Sequence, residues 1–441
     1  MRRGIFAFIA AAILIAAYAL GQRAEEPAPG RNAGMNVVVI VIDALRPDHL
    51  GCYGYYRNTS PNIDRLCEKG IVYDRAFTQG VWTKPSVATI FTSKYPSVHR
   101  TYAYSLNGSP DIADNRLPDQ ETTFAESLSY EGYATGGFFS NGFISAPLNY
   151  GQGFQEYVRM ILSTKLNNDR NLTEHAKSMI ERKKGRKFFI YAHYLATHAP
   201  YAQDPKYKSM FDRGINGSLN MSLSEWPDRE YAKEDLEEVD DAYDMGVRFG
   251  DEQVGAIVKT LEDEGIMDRT IIVVTADHGE SLGEHNHIGH SRITQSVFRI
   301  PLIIYDPLNG RGRRVQEPVG LIDLAPTVLT MLNITVPEGY QGGDIFHDRR
   351  RYEIIEGYGT TNDAVAGITD GRYLYVHTKS DKNHLYDLKD GPEEKNDLIG
   401  KYPAVEKALA DALTRHSNMT QHETAANPNE LDALKSLGYV F

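Results

Sequence analysis

Residues Val37 to Ile42 read VVVIVI, an unbroken Val/Ile run that ends in Asp43. β-Branched side chains favour extended backbone, and a strand with no polar face must be covered on both sides, the condition of a central strand in a parallel sheet. Phe188 to Tyr191, Ile271 to Val274 and Leu302 to Tyr305 repeat the pattern, separated by helical periodicities such as Val254 to Leu261. The expected fold class is therefore α/β, with a large, mostly parallel sheet sandwiched by helices. Such sheets bind ligands at the carboxyl ends of their strands. Here those ends carry reactive side chains. Asp43 follows the first run, Ser140 and Asn141 follow Gly132 to Phe139, His193 and soon His198 follow the run ending at Ala192, and Asp277 and His278 follow the run ending at Thr275.

The remainder of the chain sets boundaries around this sheet. Arg2 and Arg3 precede an apolar run from Ile5 to Leu20, and a polar stretch follows to Arg31. This reads either as a secretory signal or as an N-terminal membrane anchor, and both place the rest of the chain outside the cytoplasm. Sequons at Asn58, Asn107, Asn171, Asn216, Asn220, Asn333 and Asn418 agree with export. The catalytic unit is expected to span residues 35–345, closed by a helix from Leu324 to Leu332. A smaller C-terminal unit spans 346–420, with an antiparallel sheet turning at Asp370 and Gly371 and a helix near Ala404 to Arg415, and 421–441 form a tail. The polar stretch from Ala202 to Glu237 reads as a surface insertion bordering the substrate cleft.

With 47 basic and 59 acidic residues the formal net charge is -12, which argues against a general nucleic-acid binder. A composition of 41% hydrophobic and 24% charged residues excludes a disordered or fibrous chain. Cys52 and Cys67 are too few for a disulfide framework and have the wrong neighbours for a zinc cage, leaving room for one disulfide between them.

Two segments point to chemistry. TADHGE, Thr275 to Glu280, offers a carboxylate and an imidazole side by side after a buried strand. With Asp43 it makes a divalent-metal site of oxygen ligands plus one nitrogen, leaving positions open for a reactant. The second segment is VWTKPSVATIFTS, Val81 to Ser93, where Pro85 suits the first turn of a helix. Thr83 is then expected just outside that helix N-terminus, where an anion is favoured and where a metal-bound hydroxyl can attack phosphorus or sulfur. A helix cap is the plainer role for the same residue.

Beyond these segments, the chain resembles the sulfatase branch of the alkaline phosphatase superfamily, from Val37 to about Leu398. The motifs, in the family's order, are VIVIDALRPDHLGCYGY (Val39 to Tyr55), SPNIDRL (Ser60 to Leu66), TKPSVATIFTSKYPSVH (Thr83 to His99), SNGF (Ser140 to Phe143), HYLATHAPY (His193 to Tyr201), TADHGESLGEH (Thr275 to His285) and LYDLKDGPEEKNDL (Leu385 to Leu398). The resemblance implies the sulfatase-like fold, with a smaller C-terminal antiparallel sheet. It also implies one divalent metal ion on Asp43, Asp277 and His278, with Thr83 adjacent.

The departures from that pattern redirect the chemistry. The family's sulfatases carry at the position of Thr83 a Cys or Ser that is oxidised to formylglycine, a modification Thr cannot undergo, so no formylglycine is expected. Val87 replaces the signature's Arg, His290 stands where a Lys is usual, and the Lys of a third segment is missing around Phe139 to Gly142. A formylglycine hydrate expels sulfate by elimination from a geminal diol, whereas a sulfated threonine has no such exit. A phosphorylated threonine can be cleared by water or by an alcohol. Thr83 therefore tilts the reaction towards phosphoryl chemistry, while the family tilts it towards sulfate.

His198 is expected to contact a substrate oxygen or protonate the leaving group, and His290 to stabilise charge or act as the acid. Asn141 is expected to donate to a substrate oxygen, and Glu280 to hold His278. His285 and His287 read as loop residues, and His99 and Arg46 as packing or loop residues. The sequence thus predicts an exported hydrolase of phosphate or sulfate esters acting on a small-molecule, glycan or lipid ester. One alternative is a transferase acting on envelope lipid or glycan, with an alcohol in place of water. The other is a non-catalytic binder of sulfated or phosphorylated glycans, favoured by the lost Arg and Lys and opposed by the retained metal ligands. Calcium, magnesium, manganese and zinc all remain open.

Overall fold

The computed structural model describes residues 32–424, except 103–115, 162–163, 216, 224–225, 291, 310–311, 349, 358–363 and 381. The N-terminal apolar run, most of the tail, and Asn107 and Asn216 lie outside the described residues. Among the described residues no helix is long and apolar enough to cross a membrane.

The first Val/Ile run forms strand β1 (Asn36–Ile42), every residue of which is buried. It is followed by α1 (Pro61–Lys69), β2 (Ile71–Phe77), α2 (Thr83–Thr92), α3 (Phe124–Tyr130), β3 (Ala134–Phe139), β4 (Glu156–Arg159), α4 (Lys165–Lys183), β5 (Phe188–Tyr194), α5 (Lys233–Asp263) and β6 (Thr270–Thr275). Then come β7 (Arg299–Tyr305), β8 (Arg313–Val315), β9 (Val319–Gly320) and α6 (Leu324–Met331). These strands build a nine-stranded sheet in the order β8-β2-β7-β6-β1-β5-β3-β4, with β9 also paired to β2.

β1 runs parallel to β5 and β6, and β3 runs parallel to β4 and β5. The strand around Leu302 to Tyr305 differs from its neighbours, because β7 lies antiparallel between β2 and β6. An unbroken apolar run specifies burial on both faces and carries no information about direction. Helices cover the sheet in two groups, α1, α4 and α5 in one and α2, α3 and α6 in the other.

A second sheet follows, an antiparallel meander of β10 (Glu353–Glu356), β11 (Ala364–Thr369), β12 (Tyr373–Thr378) and β13 (His384–Asp387). Helix α7 (Pro403–Thr424) packs against β11 and β12. Buried Glu356 ties this unit to the main one, accepting from Ser97 N at 2.6 Å and meeting His416 Nε2 at 2.8 Å.

The stretch from Ala202 to Glu237 is more than a surface insertion. Tyr207, Phe211, Trp226 and Tyr231 are buried in the main core, and Lys233 to Glu237 already belong to α5. Its polar residues conceal anchors too widely spaced to show periodicity. Cys52 and Cys67 are joined as a disulfide.

On α5, Asp244 is fully buried and gathers three donors from the loop after β1, His49 Nδ1 at 2.8 Å, Tyr55 Oη at 2.8 Å and Arg57 Nη1 at 2.6 Å. Removing one member of a buried charge network strands its partners, at a cost of about 3 kcal/mol. Asp244→Ala is expected to lower the unfolding free energy by about that amount in urea. A change below about 1 kcal/mol would show that Asp241, 2.8 Å from Arg57, carries the loop by itself.

Candidate active site

Four parallel-strand ends converge at one edge of the main sheet. Asp43 extends β1 by one residue, and its N–H donates to Tyr194 O at 2.9 Å. His193 lies within β5, in register with Val41 of β1 and Phe139 of β3. Thr275, the last residue of β6, is also in register with Val41, so Asp277 and His278 emerge just beyond it. The turn after them is pressed against the chain near Ser296. A Cβ on Gly279 would lie 2.1 Å from Ser296 O, which only glycine tolerates.

The side chains meet in a buried cluster. His193 Nε2 lies 3.3 Å from Asp43 Oδ2 and 3.8 Å from Asp277 Oδ2. His278 Nε2 lies 3.4 Å from Asp43 Oδ1 and 3.6 Å from Asp277 Oδ2. One donor atom from each of Asp43, His193 and Asp277 falls within 4.8 Å of the others. Asp43 Oδ1 and Asp277 Oδ2 are buried without any hydrogen-bond partner. Orphaned carboxylate oxygens are costly, and two of them facing two imidazoles form a donor set suited to a divalent cation. His278 Nδ1 sits 2.8 Å from Gly279 O, which keeps the hydrogen on that nitrogen and turns the Nε2 lone pair into the cluster.

Thr83 stands beside this cluster. It is the first residue of α2 rather than a residue outside it, and its side chain does not cap the helix. Trp82 takes the capping position, so the hydroxyl is released towards the cluster. Thr83 Oγ1 lies 3.3 Å from Asp43 Oδ2 and 3.4 Å from His278 Nε2. Asn141, expected to meet substrate, donates from Nδ2 to Asp43 Oδ2 at 2.7 Å and to Thr83 Oγ1 at 3.1 Å. Its Oδ1 accepts from Phe143 N at 2.8 Å, which fixes the amide.

The electrostatics separate the ionisable groups. Burial would raise the Asp43 carboxyl, but the imidazoles of His198, His193 and His278 hold it well below the ordinary carboxylate range. Burial pulls on His193 in the opposite sense, and the hydrogen bond to Asp43 with the charges of Asp277 and Asp43 raises it overall. His198 and His290 lie with ring centroids 5.1 Å apart, and His290 is 4.5 Å from His278. Burial and the charge of His290 push His198 down, whereas the hydrogen bond to Glu280 lifts His290 against its own burial.

The expectations for Glu280 and His287 change here, while that for His99 holds. Glu280 reaches His290 Nδ1 at 3.3 Å rather than holding His278, whose Nδ1 is taken by a backbone carbonyl. A short hairpin between Ser281 and Gly289 folds His290 back over Glu280. His285 is exposed, as expected, and meets Glu394 at 3.1 Å, whereas His287 is buried against Asp228 at 2.8 Å. His99 is a packing residue, fully buried between Thr89 and Thr101, and burial drives it down to about 3. Arg46 pairs with Asp48 and Glu284, both at 2.7 Å, and braces the Glu280 carbonyl.

His193 is the cluster member that the sequence left without a role. It stands out as a polar residue after an apolar run, but nothing along the chain pairs it with Asp43 and Asp277. Its signal lay in the register, since the same face of β5 points towards the end of β1.

The sulfatase family model matches residues 35–334. An ulvan-active sulfatase of Formosa agariphila is 25% identical over 451 residues, covering 92% of this chain and 85% of the relative. A solved structure in complex with its substrate D-glucosamine-2-N,6-O-disulfate superposes with a TM-score of 0.75 at 20% identity, covering 90% of this chain and 99% of that one. A phosphonate monoester hydrolase from Silicibacter pomeroyi superposes with a TM-score of 0.72 at 20% identity, covering 88% and 96%. With well over half of its length inside the family match, this chain belongs to the sulfatase family, hydrolases of sulfuric and phosphoric esters.

Proposed function

We propose that the chain is an exported, metal-dependent hydrolase that prefers phosphorus esters to sulfate esters and uses Thr83 as its nucleophile. The observation that carries this reading is the Thr83 hydroxyl, 3.3 Å from Asp43 and 3.4 Å from His278, at the position where formylglycine chemistry is unavailable. Export rests on the N-terminal Arg-Arg and apolar run.

Asp43, His193, Asp277 and His278 would hold the cation, with Thr83 Oγ1 alongside. When bound, a divalent ion supplies the positive charge that favours the threonine alkoxide and neutralises the transferred group. Asn141 orients the hydroxyl, and the first N–H groups of α2 face the anion. Thr83 Oγ1, as the alkoxide with its proton released to solvent, forms a bond to phosphorus as the bond from phosphorus to the leaving oxygen breaks. That oxygen takes a proton from His290, whose proton affinity is raised by its bond to Glu280. Water then attacks phosphorus and returns a proton to His290, and the Thr83 oxygen departs. His198 Nδ1 is taken by Ala199 O at 2.6 Å, so in the neutral ring that burial favours its Nε2 carries a lone pair and accepts a hydrogen bond from the attacking water. Two imidazoles pushed in opposite directions suit these two tasks.

The test is steady-state hydrolysis of p-nitrophenyl sulfate, p-nitrophenyl phosphate, bis-p-nitrophenyl phosphate and a phenylphosphonate ester with calcium, magnesium, manganese and zinc in turn. A phosphorus ester is expected to show the highest kcat/KM. Sulfate as the best substrate would overturn the phosphorus preference, and no turnover of any probe with any metal would overturn the hydrolase.

A further inference from the structure

Lys165 opens α4, at the same edge of the sheet as the cluster. Its Nζ donates to His198 O at 2.5 Å and to Pro200 O at 2.7 Å, the two carbonyls that bracket Ala199. An ammonium has three hydrogens, so these neutral acceptors leave one unused. Partly buried lysines are normally matched to a carboxylate, yet among the described residues Lys165 makes no ion pair. The acids whose fields reach it are Asp169, Asp43 and Glu280. Asp169 is already occupied by Ser140 Oγ at 2.8 Å and by Leu195 N at 3.1 Å. Asp43 and Glu280 belong to the site. The charge of Lys165 also reaches the His198 ring, where it works against protonation.

A cation held by two carbonyls of the turn that carries His198, and in direct ion pair with no acid among the described residues, is prepared for an anion arriving from outside. Burial lowers both Lys165 and Lys84, the residue next to Thr83, to about 8, but only Lys165 is drawn back up by acids, Asp169, Asp43 and Glu280. We propose that Lys165 binds the charged oxygens of the transferred phosphate or sulfate group, and at the same time holds the turn that carries His198. This rests on the esterase reading above, and the measurements below separate the two.

The first measurement uses the intact chain loaded with each metal. Lysine acetylation at pH 8 is followed by mass spectrometry with and without inorganic phosphate, with exposed Lys407 as the reference. Phosphate is expected to slow acetylation of Lys165 at least about 10-fold, the loss of a charge-assisted contact, while Lys407 is unaffected. Equal labelling with and without phosphate overturns the inference. The second measurement is phosphate affinity by calorimetry. Lys165→Met is expected to weaken binding about 10- to 100-fold, and Lys165→Arg to stay within about threefold of the parent. An unchanged affinity in Lys165→Met overturns it as well, and if that variant fails to fold, the labelling result decides. Protection without turnover of any ester would sink the hydrolase and keep the anion site. Turnover without protection would do the reverse.

Discussion

Thr83→Ala is expected to abolish turnover, lowering kcat on the order of 10⁴-fold, while leaving metal content and folding nearly unchanged. Nucleophile removal is this costly because the remaining groups can only position water against the ester, and they lose the covalent route altogether. The fold should tolerate the change. The hydroxyl caps nothing in α2, and its polar neighbours lie at 3.1 to 3.4 Å with other partners available. Asn141 keeps its 2.7 Å bond to Asp43 and gives up only the longer 3.1 Å bond to Thr83. The expected stability loss is therefore below about 1 kcal/mol. Thr83→Ser keeps the oxygen and should retain measurable turnover, with more rotamer freedom at the attacking atom. A rapid quench followed by peptide mass spectrometry should find the phosphoryl adduct on the Thr83 peptide. Wild-type-like kcat in Thr83→Ala would remove Thr83 from the chemistry.

How far the sequence reaches depends on what each residue has to signal. β1 was legible because six β-branched residues in a row leave few alternatives. β2 was not: Asp74 and Arg75 interrupt IVYDRAF, and its register shifts between Tyr73 and Ala76 where it pairs with β7. β4 is three half-exposed residues and an exposed Arg159 at the sheet edge, too short for any periodicity. In the site, Asp43, Asp277 and His278 showed themselves as polar residues directly after apolar runs. His193 showed itself at its strand end but without a role, because only strand register turns it towards Asp43. Glu280 was matched to its sequence neighbour, and only the hairpin that returns His290 reveals its partner. Lys165 lies in the charged stretch KLNNDRN, where one more cation carries no signal. Proximity made by register, by a hairpin or by a helix start is tertiary information, which spacing along the chain does not encode.

Asp277→Asn is expected to lose divalent-ion binding by at least about 100-fold and turnover with it, yet to leave the metal-free chain no less stable than the parent. The two halves have one cause. Asp43 Oδ1 and Asp277 Oδ2 are buried acceptors that no protein donor satisfies, and with both carboxylates ionised they place like charges in one small buried space. The amide removes one of those charges, which relieves repulsion when no ion is bound and removes a ligand when one is. The parent should behave the opposite way. Chelation with EDTA should abolish its activity, and saturating metal should raise its unfolding free energy, by about 4 kcal/mol when the ion stands at 1,000 times its Kd. His193→Ala provides the control within the same cluster. It should also weaken the metal, but it takes from Asp43 one of the imidazoles that hold that carboxyl low, so its metal-free form should be less stable than the parent. Calorimetric scans of the three chains with and without added ion read both effects together. If Asp277→Asn keeps its ion, or if all three metal-free chains melt alike, the cluster is an ordinary buried polar network and the cation belongs elsewhere.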